Sequence, residues 1–191
     1  YFIDYLLDKK FKEIRVFSRD ELKQDDMRLR LQNSKVKFYI GDVRDRSSVD
    51  DAMPDVDYVF HAAALKQVPA CEFFPMQAMQ TNVIGSQHVI ESAINNGVSK
   101  VVSLSTDKAV YPVNALGITK ALMEKVVQSA SRKLSGGKTV LTLVRYGNVL
   151  FSRGSVIPLF MRLIREKKPF TVTEQGMTRF LLPLKEAINL V

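Results

Sequence analysis

Thr106, Asp107 and Lys108 follow one another in the stretch STDKAVYPVNALGITK (105–120), which ends on a second lysine, Lys120. A carboxyl group beside an amine can serve as acid and base in one reaction if burial pushes both pKa values toward neutrality. The same pair left in water is an exposed ion pair that steadies a loop, worth ~0–1 kcal/mol. Lys120 falls in a helical pattern and could point back to the same cleft, although a helix lysine taken alone is usually solvated. Other chemistry-bearing residues are sparse. His61 ends an apolar run and reads as a structural histidine ahead of a base. His88 and Cys71 lack metal-ligand spacing, so no metal is expected.

These residues need elements to hold them at one edge of a fold. Short β-branched runs, EIRVFS (13–18), VKFYI (36–40), VDYVFHA (56–62), KVVSLS (100–105) and TVLTLVRY (139–146), alternate with helical patterns. The alternation predicts an α/β domain with a doubly wound parallel sheet, whose ligands sit beyond the carboxyl ends of the strands. Thr106, Asp107 and Lys108 follow the fourth run, where chemistry is expected.

The ends of the earlier runs read as a cofactor edge. Ser18, Arg19 and Asp20 follow the first run. An acid there suits the ribose hydroxyl of NAD, whereas an arginine accommodates the extra phosphate of NADP. Ser18 and Arg19 favour NADP, Asp20 keeps NAD as the alternative, and Ser18 or Asp20 equally suits a helix cap. After the second run, Asp42 could meet an adenine amino group while Val43 packs on the ring. After the third, Ala62, Ala63 and Ala64 permit a cofactor to approach the backbone closely. Asn82, inside the long helical pattern 75–97, is expected to bond backbone groups of a neighbouring strand.

The opening YFIDYLLDKK is an amphipathic helix with no strand before it, and the chain begins mid-pattern without Met. The sequence therefore reads as a segment of a longer protein, with a central first strand and a Gly-rich phosphate turn expected just upstream. EAINLV likewise reads as a helix cut short.

A chain of 191 residues, 46% hydrophobic and 25% charged, suits one soluble domain with a substantial core. Its formal charge of +8 fits nucleic acid, a membrane surface, a phosphorylated ligand or a solvated basic surface. The basic residues are scattered, and no stacking aromatics are interleaved with them, which argues against a nucleic-acid partner. No apolar run approaches the ~18 residues of a membrane span. The single Cys71 excludes an internal disulfide and suits a reducing cytoplasm, the expected location.

HAAALKQVP, TNVIGS, LSTDKAVYPVN, RYGNV, SRGSVIPLF and MTRF stand in one collinear order over nearly the whole chain. Together they resemble the extended short-chain dehydrogenase/reductase superfamily, and within it the UDP-N-acetylglucosamine 4,6-dehydratases of capsule, O-antigen and flagellin-sugar biosynthesis. The resemblance is nearest to the inverting enzymes, which also epimerise C5. It implies a Rossmann-like NADP-binding domain over 1–147, incomplete at its N-terminus, and the start of a UDP-sugar-binding region over 148–191.

By the same resemblance, Thr106 bonds the sugar 4-hydroxyl and Lys120 holds the nicotinamide ribose. Asp107 and Lys108 become the acid and base that set a dehydratase apart from a plain epimerase. Asn148, the segment Gly154–Ser155–Val156–Ile157–Pro158 and Arg179 fall where the family binds the UDP moiety, and Lys66 is expected to face the same cleft. Ser155 opens a helix whose free N–H groups suit an anion, and Arg179 can pair with pyrophosphate. The implied reaction takes hydride from C4, removes the C5 proton with Lys108, protonates the departing C6 hydroxyl from Asp107, and returns hydride to C6. A homo-oligomer is implied too, with the helical patterns 75–97 and 114–134 as candidate interfaces.

One position departs from the pattern. Leu116 stands four residues before Lys120, where the superfamily places its catalytic tyrosine. It cannot take a proton from the 4-hydroxyl, so the first proton transfer lacks an owner; Tyr111 lies on the preceding loop. Two other readings follow. A UDP-sugar 4-epimerase needs no Asp107–Lys108 pair but suffers from Leu116, and a catalytically silent nucleotide-binding homologue tolerates it.

Overall fold

The computed structural model describes residues 1–134, 137–152, 155–172 and 174–191. Gly154, expected beside Ser155 at the UDP site, lies outside the described residues. Each β-branched run forms a strand: β1 Ile14–Ser18, β2 Val36–Ile40, β3 Tyr58–His61, β4 Lys100–Thr106 and β5 Val140–Tyr146. Every pairing is parallel, β1 with β2 and β3–β4–β5 in that order, and β1 and β3 belong to separate sheets. A short parallel pair near the C-terminus joins β6 Asn148–Val149 to β7 Leu181–Leu182.

Parallel neighbours need crossover connections, and the helices supply them. α1 Phe2–Leu7 opens the chain, α2 Glu21–Leu31 joins β1 to β2, and α3 Arg46–Ala52 joins β2 to β3. Between β3 and β4 run α4 Val68–Phe73, α5 Pro75–Met79 and α6 Gly85–Asn95; α7 Ala115–Lys133 joins β4 to β5. α8 Val156–Arg165 and α9 Leu184–Leu190 follow. The 75–97 pattern thus breaks at a wider turn, Gln80–Ile84, with π-type bonding.

Side chains alternate across each strand, and both faces are covered. Phe17, Val59, Val101 and Leu141 look onto a core of Val43, Val49, Met53, Val89, Ala93 and Val98 around α3 and α6. Phe60, between Val59 and His61, faces the other way and meets Phe2 of α1 edge-on at 4.9 Å. α2 lies on that side too, with Arg28 5.0 Å over the ring of Phe38, the register partner of Val16. The doubly wound α/β architecture expected from the alternation is the one that forms.

The fold presses α7 against the end of β4. Asp107–Ala109 make a tight 3-10 turn, and Asn114 caps α7 by accepting from the Gly117 N–H at 2.9 Å. Gly117 is where the two segments meet: a Cβ there would lie 2.4 Å from the Lys108 carbonyl oxygen and 3.3 Å from Pro112 Cα. Both obstacles are backbone, which yields less readily than a flexible side chain. Gly117→Ala is therefore expected to destabilise the protein by ~1–3 kcal/mol despite the better helix propensity of alanine. Urea unfolding checks this, and equal or greater stability would mean the approach is not tight.

Candidate active site

Thr106, Asp107 and Lys108 converge at the carboxyl end of β4. Thr106 Oγ1 donates to Asp107 Oδ1 at 2.9 Å, and Lys108 Nζ donates to the same oxygen at 3.0 Å. Lys108 Nζ also reaches Asn148 Oδ1 at 3.4 Å, which brings β6 into the cluster. Burial raises the Asp107 pKa, but the bonds from Lys108 and Thr106 outweigh it and the net shift is downward. Asp107 in this geometry is a carboxylate, so acting as an acid requires it to take up a proton first.

Lys120 extends from α7 toward the same strand. The residue is 5% exposed, and its ammonium donates to the Leu104 carbonyl at 2.8 Å. Burial pushes its pKa down to about 8 while Glu124 pulls the other way, so it is mostly charged at neutral pH. His61 lies near enough to feel that charge. Burial first, and Lys120 second, lower the His61 pKa to about 3. Ser86 gives its proton to the Asn82 carbonyl at 2.7 Å, so it accepts from His61 Nε2–H at 2.8 Å. His61 is a neutral, satisfied interior histidine, not a base facing the cleft.

Asn82 sits in the wide turn and is fully buried. Its Oδ1 accepts from the Leu65 N–H at 2.8 Å, and its Nδ2 donates to the Leu65 carbonyl at 3.1 Å and to Thr119 Oγ1 at 3.1 Å. The backbone it bonds is the loop after β3, which it ties to α7. Leu116 is 5% exposed and packs with Cys71, Ala78, Leu65, Val68 and Ala115. The side chain where a tyrosine was expected fills a small core. Tyr111 is 88% exposed.

The expected cofactor residues separate into open and occupied ones. Asp20 caps α2 through the Lys23 N–H at 3.1 Å and pairs with Lys23 Nζ at 2.6 Å, while Ser18 Oγ accepts from the Asp20 N–H at 3.0 Å. Arg19 is exposed and meets Asp42 Oδ2 at 3.4 Å. Asp42 is gripped by Arg44, whose bonds lower its pKa to about 2. Val43 lies in the main core at 6% exposure, so its side chain is spent on packing and not on an open cleft. Ala62 and Ala63 are exposed just past β3. An exposed guanidinium after β1, small residues after β3 and a buried ammonium near the end of β4 form a donor set that fits a nicotinamide dinucleotide.

On the sugar side, Asn148 reaches Lys108. Ser155 is the N-cap residue of α8, with a buried Oγ that has no hydrogen-bond partner among the described residues. Val156 follows it, half exposed; Arg179 is exposed and donates to the Thr178 carbonyl at 2.7 Å and to Met177 Sδ. Lys66 is exposed on the loop after β3. Among the described residues no three His, Cys, Asp or Glu side chains gather as a metal site would require, and no helix is long and apolar enough to cross a membrane.

Sequence reading missed a buried carboxylate beside this cluster. Glu124, 4% exposed, accepts from Ser105 Oγ at 2.6 Å and from Arg145 Nε and Nη2 at 2.9 and 2.6 Å. Its spacing of one helical turn from Lys120 was the available signal.

The defining pattern of the family described as "Polysaccharide biosynthesis protein" matches residues 1–191. A protein of Rickettsia prowazekii named UDP-glucose 4-epimerase is 63% identical over 180 residues, covering 94% of this chain and 53% of its own. The chain spans about half the length of the curated relatives it matches. Pen from Bacillus thuringiensis superposes with a TM-score of 0.95 at 42% identity, over 99% of this chain and 58% of its own. DesIV, a dTDP-glucose 4,6-dehydratase of Streptomyces venezuelae solved with NAD, shares the fold at a TM-score of 0.86 and 21% identity, over 98% and 65% of the two chains.

The state of His61 has a measurable consequence. Its folded pKa lies below the unfolded value of 6.5, so the unfolded chain binds the extra proton between pH 6.5 and about 3. Stability is full above pH 6.5 and falls as the pH drops through that window, by on the order of 2 kcal/mol between pH 7 and 5. His61→Gln is expected to flatten this part of the profile in urea unfolding at stepped pH. An unchanged slope would mean His61 titrates normally in the fold.

Proposed function

Because the chain belongs to the polysaccharide biosynthesis protein family, we propose that it carries the active site of a nucleotide-sugar enzyme that eliminates water. The specific reading is a UDP-N-acetylglucosamine 4,6-dehydratase with C5 epimerisation, cytoplasmic and homo-oligomeric, serving capsule or O-antigen polysaccharide synthesis. One observation carries it: the Thr106 hydroxyl and the Lys108 ammonium meet on a single oxygen of Asp107, while position 116 holds a buried leucine.

A nicotinamide dinucleotide, if bound here, would supply reversible hydride transfer with the sugar. Arg19, Ala62, Ala63 and Lys120 are the residues that would hold it. Arg19 supports NADP, whereas the fold relative from Streptomyces venezuelae was solved with NAD; Asp20, engaged as a helix cap, leaves NAD without its usual acid.

The remaining chemistry belongs to the chain. The Lys120 ammonium stabilises negative charge developing at the sugar O4. The proton of the 4-hydroxyl passes through Thr106 Oγ1 to Asp107 Oδ1, a path that needs no tyrosine. Asp107, now protonated, delivers that proton to the C6 hydroxyl as it departs as water, and the carboxylate is restored. Lys108, which the structure pairs with Asp107, must first give its own ammonium proton to solvent, and then takes the C5 proton, which the neighbouring ketone has acidified. A proton then returns to C5, and inversion requires that it arrive on the opposite face. Asn148, bonded to Lys108, fixes the direction of that amine.

A second reading, UDP-sugar 4-epimerase, is supported by the name of the Rickettsia prowazekii relative at 63% identity. It leaves the Asp107–Lys108 pair without an elimination to assist. Incubating the full-length protein with UDP-N-acetylglucosamine or UDP-glucose and either dinucleotide separates the two. A 6-deoxy-4-keto product from UDP-N-acetylglucosamine is expected; a C4 epimer establishes the second reading, and binding without conversion makes the protein a silent homologue. Lys108→Ala is expected to slow elimination by ~10²–10⁴-fold with sugar binding retained. Undiminished elimination would remove Lys108 from the chemistry.

A further inference from the structure

Lys120 needs a device that keeps its ammonium at the carboxyl end of β4, and the buried cluster behind it supplies one. Glu124 lies one turn further along α7. Its carboxylate takes the Ser105 hydroxyl from β4 and the two-pronged guanidinium of Arg145 from β5. Ser105 and Arg145 are register partners. Ser105 directly precedes Thr106, and its other neighbour, Leu104, provides the carbonyl that Lys120 bonds at 2.8 Å. One carboxylate therefore ties α7, β4 and β5 together at the level of the reacting groups.

The arrangement also settles a competition. A lysine and a glutamate at this spacing on a helix ordinarily pair with each other. Here Arg145 and Ser105 occupy the carboxylate, and an arginine fork matches it better than an ammonium does. Lys120 is left bonded to a backbone carbonyl and to Met123 Sδ at 3.7 Å, within the field of Glu124 but not captured by it. Among the described residues, the charged or titratable groups facing Lys120 are Glu124 on its own helix and His61 on β3. β4 presents the Leu104 carbonyl, and Arg145 of β5 stands behind Glu124.

We propose that Glu124 is a positioning residue for Lys120: clamped by Arg145 and Ser105, it fixes α7 against β4 and holds the ammonium near the end of β4 by charge without bonding it. The catalytic meaning rests on the reading of Lys120 given above, but the physical claim does not, and it is tested without turnover.

The full-length protein is unfolded in urea at stepped pH from 6.5 to 10. The folded pKa of Lys120, about 8, lies below its unfolded value of 10.5. The unfolded chain therefore binds more protons across that window, and stability rises with pH from about 8 upward. Glu124→Gln is expected to move the onset of the rise down by roughly one pH unit, since a nearby opposite charge is worth about that much. Arg145→Gln keeps the carboxylate but frees it to pair with Lys120, and is expected to move the onset up. Lys120→Met should abolish both shifts. A clip with no bearing on Lys120 would give losses independent of pH and additive with Lys120→Met, and that result overturns the proposal. If Glu124→Gln fails to fold, the Arg145→Gln and Lys120→Met pair decides the matter alone.

In turnover, Glu124→Gln is expected to lower kcat at least 10-fold with a sugar KM within about 3-fold, and Glu124→Asp to recover part of it. An unchanged kcat with both pH shifts intact would confine Glu124 to setting the charge of Lys120 and overturn its positioning role in catalysis. Absence of turnover in the unaltered protein would sink the functional reading and leave the stability test standing.

Discussion

The site depends on how closely the first turns of α7 lie on the backbone that leaves β4. Parallel pairing brings the ends of β4 and β5 level, Thr106 opposite Tyr146 and Ser105 opposite Arg145. The chain must then turn and send a helix back across the sheet. Gly117 permits backbone contact with Lys108, and Asn114 closes the helix end there. Asn82 pins the following turn from the other side through Thr119, and Glu124 pins the next through Ser105 and Arg145. Each restraint acts on a different turn of α7. Their joint effect is to place the Lys120 ammonium beside Leu104, two residues from Thr106, without any bond between the helix lysine and Thr106, Asp107 or Lys108.

Electrostatics then orders the chemistry. A buried ammonium is tolerable because one carboxylate stands nearby and the closest titratable ring, His61, stays neutral. A second lysine, Lys108, is half exposed and paired with a carboxylate that also accepts a hydroxyl proton. The two lysines are thus in opposite situations, one buried without a direct ion pair and one near solvent with one.

The sheet was legible because strand-forming residues are locally concentrated: VKFYI spans the whole of β2, and the other runs miss their strand ends by no more than two residues. Helix interiors read less well. The 75–97 pattern keeps its apolar period through a turn that is not α-helical, because the wide turn at Gln80–Ile84 displaces the helix without breaking it. α4 went unread, since VPACEF is short and exposes Phe73. At the site, adjacency along the chain revealed Thr106, Asp107 and Lys108. Val43 looked like a cofactor contact from its place after β2, yet its neighbours in space, Val49, Val89 and Val98, make it core. Leu116 looked like a lost catalytic group, whereas Cys71 and Ala78 show it packed. The Glu124 cluster was hidden because Arg145 meets it through strand register, which no local pattern encodes.

The account turns on whether this site breaks bonds at C5 and C6 or only at C4. Both leading reactions begin by oxidising C4, so oxidation alone does not distinguish them. Running the reaction of the full-length protein with UDP-N-acetylglucosamine in heavy water and locating deuterium by NMR is the most direct measurement. Elimination assisted by Lys108 predicts deuterium at C5 of a 6-deoxy-4-keto product. A converted sugar with C5 free of deuterium and its C6 hydroxyl intact would contradict the account, because it would show that Asp107 and Lys108 do not assist cleavage of the C5–H and C6–O bonds.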